Sequence, residues 1–441
     1  MAEFNLVTLG CPKNLVDSEI MLSALKRHGF KETALEDAEV IIVNTCSFVQ
    51  AAKEESVDTI LELSQLKIGK CKVLAVSGCL SQRYSEALKK ILPEVDLWIS
   101  LKDSENIGDI LKKYLHPDTP SLLKRGEGEL KHNPSYPPLS LSGGITNPSP
   151  PREEGKGDGN GAACSLTPAF WSYLKISEGC SHQCSFCVIP SIRGSYRSRE
   201  IDSLVEEAGE KADSGVKEII LIAQDSTDYG IDLYGERSLD KLLKRLSRID
   251  GIKWIRVMYA NPFSITDRLL DTLASTDKVC KYIDLPLQHS EEKILKLMKR
   301  AGNRKSTVEL IEKIRKRIPG VSLRSSFIVG FPGESERDFR ALKDFLKEVE
   351  LDRVGAFTYS KEEGTSASLM EAQVHWKVRQ KRYRELMELQ QEITFKKNEK
   401  FVGKTIDVLI EQDLSREMND DVKYTGRSYR DAPEIDGKVL I

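Results

Sequence analysis

The sequence predicts an α/β protein, with two parallel-sheet units in succession and a small β-barrel-like segment after them. Three features point that way. From Phe4 to about Leu115, short apolar runs alternate with helical patterns, which reads as a layered fold with a parallel sheet. Between His116 and Pro168 that pattern vanishes. From Trp171 it resumes, with six strand candidates that suit a partial (β/α)6 barrel, shorter than the roughly eight units of a full one.

In the first unit the strand candidates are "FNLVTLG", "VIIVNTC", "KVLAVSGC" and "DLWIS". The stretch "DSEIMLSALKRHG" lies between the first two and reads as a helix, with an Asp-Ser start and a stop at Gly29. The middle stretch, "NPSYPPLSLSGGITNPSPPREEGKGDGNGA", is too rich in Pro, Gly and Ser to bury an apolar core, so it is expected to be a flexible linker. The barrel candidates are "WSYLKIS", "KEIILIAQ", "KWIRVMY", "KYIDLPLQ", "SLRSSFIVG" and "DRVGAFTYS". Helices fall between them, such as "SEEKILKLMKR", where Ser290 is placed to cap the first turn. A charged helix around "RQKRYRELMELQQEITFKKNEK" follows. The short pieces "TIDVLIEQ" and "GKVLI" then form a module that reaches Ile441 soon after, and it is expected to be an incomplete barrel. The expected domains are 1–116, a linker at 117–168, the barrel at 169–398 and the small module at 399–441.

Composition excludes several classes. Hydrophobic residues are 40% and charged residues 30% of the 441, enough for ordinary cores. No apolar run approaches the ~20 residues of a membrane span. The start "MAEFNLVTLGCPKN" lacks a basic-then-apolar leader, so a cytoplasmic protein is expected. Nine cysteines, an odd number in a long chain, read as metal ligands or buried thiols rather than a disulfide framework. With 66 Lys+Arg against 68 Asp+Glu, the chain is no polyelectrolyte binder of nucleic acid.

The cysteines then carry the chemistry. "CSHQCSFC" places Cys180, Cys184 and Cys187 just after the first barrel strand, at the strand end where barrel enzymes build their sites. A closed structural zinc site takes about four protein ligands, and here there are three. The alternatives are half a zinc site or an iron–sulfur cluster with one iron left open. In the first unit Cys11, Cys46 and Cys79 each end an apolar run, which puts all three at one sheet edge, the edge where open α/β folds bind ligands. They are either a second metal site or simply buried thiols. Cys71 precedes its strand and Cys280 precedes "KYIDLPLQ", so both belong at the opposite edge, and Cys164 falls in the linker.

These residues carry a resemblance. The Cys-x-x-x-Cys-x-x-Cys spacing resembles that of the radical S-adenosylmethionine (SAM) superfamily, in which SAM chelates the open iron and is cleaved to a 5′-deoxyadenosyl radical. "TLGCPKNLVDSE", "NTCSFVQAAKEES", "SGCLSQRY", "CSHQCSFCVIPSIRGSYRSR", "LPLQHSEEKILKLMKR" and "SFIVGFPGE" together resemble the radical SAM methylthiotransferases. "AQDSTDYG", "FTYSKEEGT" and "GRSYRDAPEIDG" resemble their RimO-type branch, which acts on ribosomal protein, more than the MiaB-type branch, which acts on tRNA. The resemblance implies an N-terminal cluster domain, a radical SAM barrel and a C-terminal TRAM module. It implies an auxiliary [4Fe-4S] cluster on Cys11, Cys46 and Cys79, and a SAM-binding [4Fe-4S] cluster on Cys180, Cys184 and Cys187. The implied reaction inserts a methylthio group at the β-carbon of an aspartate in small-subunit ribosomal protein twelve, giving 3-methylthioaspartate. Two SAM molecules, an electron donor and a sulfur donor are implied with it.

Ala223, Gln224 and Asp225 after the second barrel strand are candidate SAM contacts, as are Gly330, Gly333 and Glu334 of "GFPGE". An ordinary Pro-Gly turn accounts for "GFPGE" equally well. Arg193, Arg197 and Arg199 either face an anionic substrate or form a solvated run, and His182 and His289 have no partner visible in the sequence. From Phe401 to Ile441 the formal net charge is −3, which disfavours tRNA and complements a basic ribosomal protein. The alternatives are a tRNA adenosine methylthiotransferase of the same chemistry and, more remotely, a non-catalytic Fe–S or zinc protein that binds RNA. Deleting about twenty residues within 133–163 is expected to leave iron content and activity little changed, since a shorter tether still joins the domains. A large loss of soluble, iron-loaded protein would show that the segment packs.

Overall fold

A computed structural model describes residues 2–115, 165–415 and 422–441. The linker expected at 117–168 lies outside the described residues up to 164, and so does Cys164. Its last four residues are described and are not free. Leu166 donates its N–H to Glu19 (2.9 Å), and the Ser165 hydroxyl bonds Glu19 and Thr167.

The first unit is a five-stranded sheet of β1 (Glu3–Thr8), β2 (Lys31–Glu32), β3 (Val40–Thr45), β4 (Val73–Ser77) and β5 (Leu97–Trp98). Its order is β2-β1-β3-β4-β5 and every pairing is parallel. Helices α1 (Pro12–Arg27), α2 (Gln50–Ser64), α3 (Gly78–Ile91) and α4 (Ile107–Leu115) cover it. β3 and β4 read as unbroken apolar runs because both faces are buried. Val40, Ile42, Val73 and Ala75 pack with Met21, Leu22 and Leu25 of α1, while Ile41, Val43, Leu74 and Val76 pack with Ile60 and Leu80 on the other side.

α1 starts earlier than the Asp17-Ser18 pair that marked it in the sequence. Cys11 is its N-cap and Pro12 opens the first turn, where a missing N–H costs nothing. The stop falls as expected, with Gly29 at φ +81 and Phe30 donating back to Leu25 (3.1 Å).

The second unit holds β6 (Trp171–Lys175), a short antiparallel ribbon of β7 (Ser177–Glu178) and β8 (Arg197–Ser198), then β9 (Glu218–Ile222), β10 (Trp254–Val257), β11 (Val279–Gln288), β12 (Ser322–Val329) and β13 (Arg353–Thr358). The six long strands run parallel in the order β13-β12-β11-β10-β9-β6, the partial barrel read from the sequence. Helices α5 (Ile189–Arg193), α6 (Ile201–Asp213), α7 (Ile231–Tyr234), α8 (Leu239–Leu246), α9 (Asp267–Ser275), α10 (Glu292–Leu297), α11 (Arg304–Arg317), α12 (Glu336–Val349) and α13 (Trp376–Glu399) accompany them. Ser290 does not cap α10. The N-cap is Glu291, whose backbone N–H is taken by His289 Nδ1 (3.0 Å).

Six strands do not close, so the inner face of this sheet needs cover. Tyr173, Ile220, Ile222, Met258 and Tyr282 line it, and they pack with Leu15, Val16 and Ile20 of α1 and with Tyr429 and Ala432 near the C-terminus. The remaining strand positions, such as Leu174, Ile219, Leu221 and Ile255, face the outer helices.

The C-terminal segment forms a three-stranded antiparallel sheet of β14 (Val408–Asp413), β15 (Tyr424–Ser428) and β16 (Val439–Leu440). It is tied to the barrel by polar groups. Tyr173 donates to Glu434 (2.9 Å), Tyr282 donates to Asp436 (2.7 Å), and Arg353 pairs with Asp431 (2.5 Å). Glu411 pairs with Arg427. Asp431, Asp436 and Glu411 are turned inward, and so are Arg427 and Arg430, so burial removes acids and bases alike from the module's surface.

Deeper in the joint, Glu218 is fully buried between Arg256 and Arg427, at 2.7 Å from each. Burial alone would raise the Glu218 carboxyl, and the two guanidiniums more than offset it, holding it below the usual range. Arg427→Met is therefore expected to cost about 3–5 kcal/mol, the range for breaking a buried pair. Glu411→Gln, nearer the rim, is expected to cost about 1 kcal/mol. Denaturant unfolding followed by proteolysis of the C-terminal segment checks both.

Candidate functional site

The first thiol triplet forms where the sheet edge predicts. Cys11 caps α1, Cys46 follows β3 and Cys79 lies in the first turn of α3. Gly10 lies so close to Cys46 that an added Cβ would sit 2.5 Å from Cys46 Cβ. Two asparagines fix the strand ends. Asn14 donates to the carbonyls of Leu9 (3.0 Å) and Thr45 (2.9 Å), and Asn44 donates to Asn14 O (2.7 Å) and Ser18 Oγ (2.8 Å). Burial pushes the Cys46 thiol up to about 11 and Cys79 up to about 12. Cys71 and Cys280 lie at the opposite strand ends, as their sequence positions implied.

The second triplet is in the loop after β7. Cys187 donates its N–H to Cys184 O (3.1 Å), and Cys180 donates to Gly194 O (3.1 Å). Phe186 stacks edge-on against Phe331 (6.4 Å), and Ser185 bonds the carbonyls of Leu297 and Met298. Arg300 approaches Cys184 Sγ at 3.9 Å. Burial pushes Cys180 up to about 11 and Cys187 up to about 12.

The chemistry of each donor set favours a cluster over a single ion. A closed zinc site takes about four protein ligands. Each site here offers three thiols, a set that fits a four-iron cube with one iron free of protein.

α5, which begins two residues after Cys187, joins the two sites. Its Val188 and Ile192 neighbours pack against Cys79. Arg193, at its end, is buried and reaches Asn14 (2.8 Å), Asp17 (2.8 Å), Glu178 (3.0 Å) and Cys79 Sγ (3.6 Å). It is neither a substrate-facing arginine nor a solvated one. Arg197 is exposed, and Arg199 pairs with Glu207 (2.7 Å) and donates to Lys175 O. Lys13 also lies here, with its ammonium over the Tyr259 ring, and burial pushes it down to about 8. Asn14, Asn44 and Lys13 were legible only as neighbours of the cysteines.

The candidate SAM residues separate into two kinds. Ala223 and Asp225 are buried at the end of β9, and Gln224 Oε1 is buried without a partner. Asp225 accepts from His182 (2.7 Å) and Thr227. Those bonds, with Asp228 at 3.2 Å, push His182 up to about 10, a partnership invisible in the sequence. Gly330, Gly333 and Glu334 belong to an internal turn. A Cβ on Gly330 would meet Arg379 Cγ at 2.1 Å. Glu334 accepts the Gly330 and Phe331 N–H groups and pairs with Arg382 (3.0 Å), with burial pushing it up to about 7. His289 is enclosed 3.9 Å from Glu334, and burial pushes it down to about 3.

Comparison with known proteins agrees. The Radical SAM superfamily matches residues 174–346, the Uncharacterized protein family UPF0004 matches 3–100, and the TRAM domain matches 402–441. Among solved structures, the radical SAM methyltransferase TsrM of Kitasatospora setae superposes with TM-score 0.54 at 16% identity, covering 81% of this chain and 73% of its own. The cobalamin-dependent radical SAM enzyme OxsB gives TM-score 0.51 at 14% identity, covering 90% of this chain and 56% of its own. The fold and the cysteine loop define a radical SAM enzyme. Three relatives, each carrying the name ribosomal protein uS12 methylthiotransferase RimO, span nearly the whole chain. Those of Desulforamulus reducens and Caldanaerobacter subterraneus are 45% identical, covering 100% of this chain and 93% and 94% of theirs. That of Clostridium tetani is 42% identical over 99% of this chain and 91% of its own. The chain belongs to this RimO methylthiotransferase family.

Cys46→Ala is expected to lose about four irons and abolish methylthiolation while SAM cleavage persists. Cys184→Ala is expected to remove the other four or so, and SAM cleavage with them. Cys71→Ala and Cys280→Ala should keep full iron. Iron assay of anaerobically reconstituted protein decides, and an emptied N-terminal site in Cys71→Ala would contradict the sheet-edge assignment.

Proposed function

We propose that this chain inserts a methylthio group at the β-carbon of an aspartate in ribosomal protein uS12, free or within the small subunit, giving 3-methylthioaspartate. The observation that carries the reading is the pair of three-thiol sites joined through Arg193, in a chain of the RimO family. Cys11, Cys46 and Cys79 would hold the auxiliary [4Fe-4S] cluster, and Cys180, Cys184 and Cys187 the one that binds SAM. When bound, these groups supply the radical chemistry and the sulfur that an unactivated C–H bond requires, since no side chain deprotonates it at neutral pH.

The chain's own residues bind, orient and exclude water. Phe186 and Phe331 keep the second loop dry on one side. Arg193 ties that loop to α1, so both thiol sets are held on one joint. Ala223, Gln224 and Asp225 stay as candidate SAM contacts, whereas Gly330, Gly333 and Glu334 shape the turn beneath α13. A one-electron donor and a sulfur donor complete the reaction, in a cytoplasmic setting that keeps thiols reduced. No helix among the described residues is long and apolar enough to cross a membrane.

Anaerobic turnover with SAM, followed by mass spectrometry of uS12 and of tRNA, tests the substrate. The expected result is a methylthio mass gain on one uS12 aspartate and unmodified tRNA. Methylthio-adenosine in tRNA without change to uS12 would select the tRNA reading instead.

A further inference from the structure

Lys13 stands in the first turn of α1 and is only 8% exposed. An ammonium so enclosed is ordinarily paired, because removing a charge from water is costly unless a partner answers it. Its charged neighbours obey that rule. Lys175 pairs with Asp17 and Glu178, Arg193 pairs with the same two acids, and Arg324 pairs with Asp284 (2.8 Å). Lys13 does not. Among the described residues its ammonium makes no hydrogen bond and no ion pair, and its one close polar contact is the Tyr259 ring, 3.2 Å from the centroid.

That ring is placed under constraint. Tyr259 follows β10 with φ +59, a left-handed conformation that a tyrosine adopts only when its surroundings impose it. Its N–H is held by Asp284 Oδ2 (3.0 Å), and Asp284 is already matched by Arg324. A positive charge with acids in its surroundings (Asp284, Glu178) but no ion-paired partner is thus fixed at the strand ends of the barrel, next to the edge that carries Cys11.

We propose that the Lys13 ammonium receives the side-chain carboxylate of the substrate aspartate, an inference that rests on the uS12 reading above. The carboxylate carbon is bonded directly to the β-carbon, so pairing it positions the reacting carbon without touching it. The aromatic floor excludes water and strengthens the pair. The adenine base is neutral and has no carboxylate beside its reacting carbon, so this residue favours an aspartate over a base as the group delivered to the site.

The test uses the reconstituted holoenzyme, purified uS12, and uS12 carrying Asp→Asn at the modified position. Wild type is expected to bind the Asp form at least about 30-fold tighter than the Asn form, the range for truncating one partner of a buried charge pair. Lys13→Met is expected to bind both forms alike, with an increase in KM for uS12, and Lys13→Arg to regain part of the preference. Each preference is a ratio within one variant, so a partly misfolded fraction cancels. A Lys13→Met enzyme that keeps the full preference overturns the assignment while leaving the uS12 reading intact. A wild type that adds no methylthio mass to uS12 overturns both.

Discussion

The open inner face of the six-stranded sheet is the constraint on which the rest of the molecule depends. A parallel sheet is stable only with both faces covered, and a barrel of six strands leaves its concave side short of cover. Here that cover comes from outside the barrel. Leu15, Val16 and Ile20 of α1 enter from the N-terminal unit, and Tyr429 and Ala432 from the C-terminal one. The helix that fills the gap is the helix that Cys11 caps and whose first turn carries Lys13. Hydrophobic burial thus sets the distance between chemical groups lying far apart in sequence.

Apolar packing alone would leave that joint free to slide. The charges buried within it give it a register. Arg193 satisfies two acids and an asparagine at once, on both units. Arg427 does the same between Glu218 and Glu411 across the C-terminal joint. Such buried pairs add little net stability over apolar contacts, but a misplaced one is costly, so they penalise every other arrangement. Selection of one arrangement is what two separate thiol sites need.

The sequence disclosed whatever follows from local pattern. Unbroken apolar runs marked β3 and β4, period and caps marked the helices, and the strand-end rule placed six cysteines correctly on two edges. Arg193 read as one of three basic residues that either face an anionic substrate or form a solvated run, because its partners Asp17 and Glu178 are contributed by other elements. His182 looked alone since Asp225 and Asp228 come from another loop. The acids near the C-terminus looked like surface charge for the same reason, while Tyr173, Tyr282 and Arg353 were waiting in the barrel. Long-range pairing of charges carries no periodic trace, so a single sequence cannot show it.

Exposure gives the first thiol site a direction. Cys46 and Cys79 are each about nineteen-twentieths buried, whereas Cys11 is exposed. Burial holds the two inner thiols protonated in the metal-free chain, and binding iron must release those protons. The outer one is open to the surroundings. Cys11, which caps the first turn of α1, is thus the side of the site that faces outward. That turn is bounded by Lys13 and the Tyr259 ring on the barrel side and by the Asn14–Arg193 contact beyond it. Lys13 makes no ion pair among the described residues, so the positive charge beside this turn favours an anionic side chain over a neutral one.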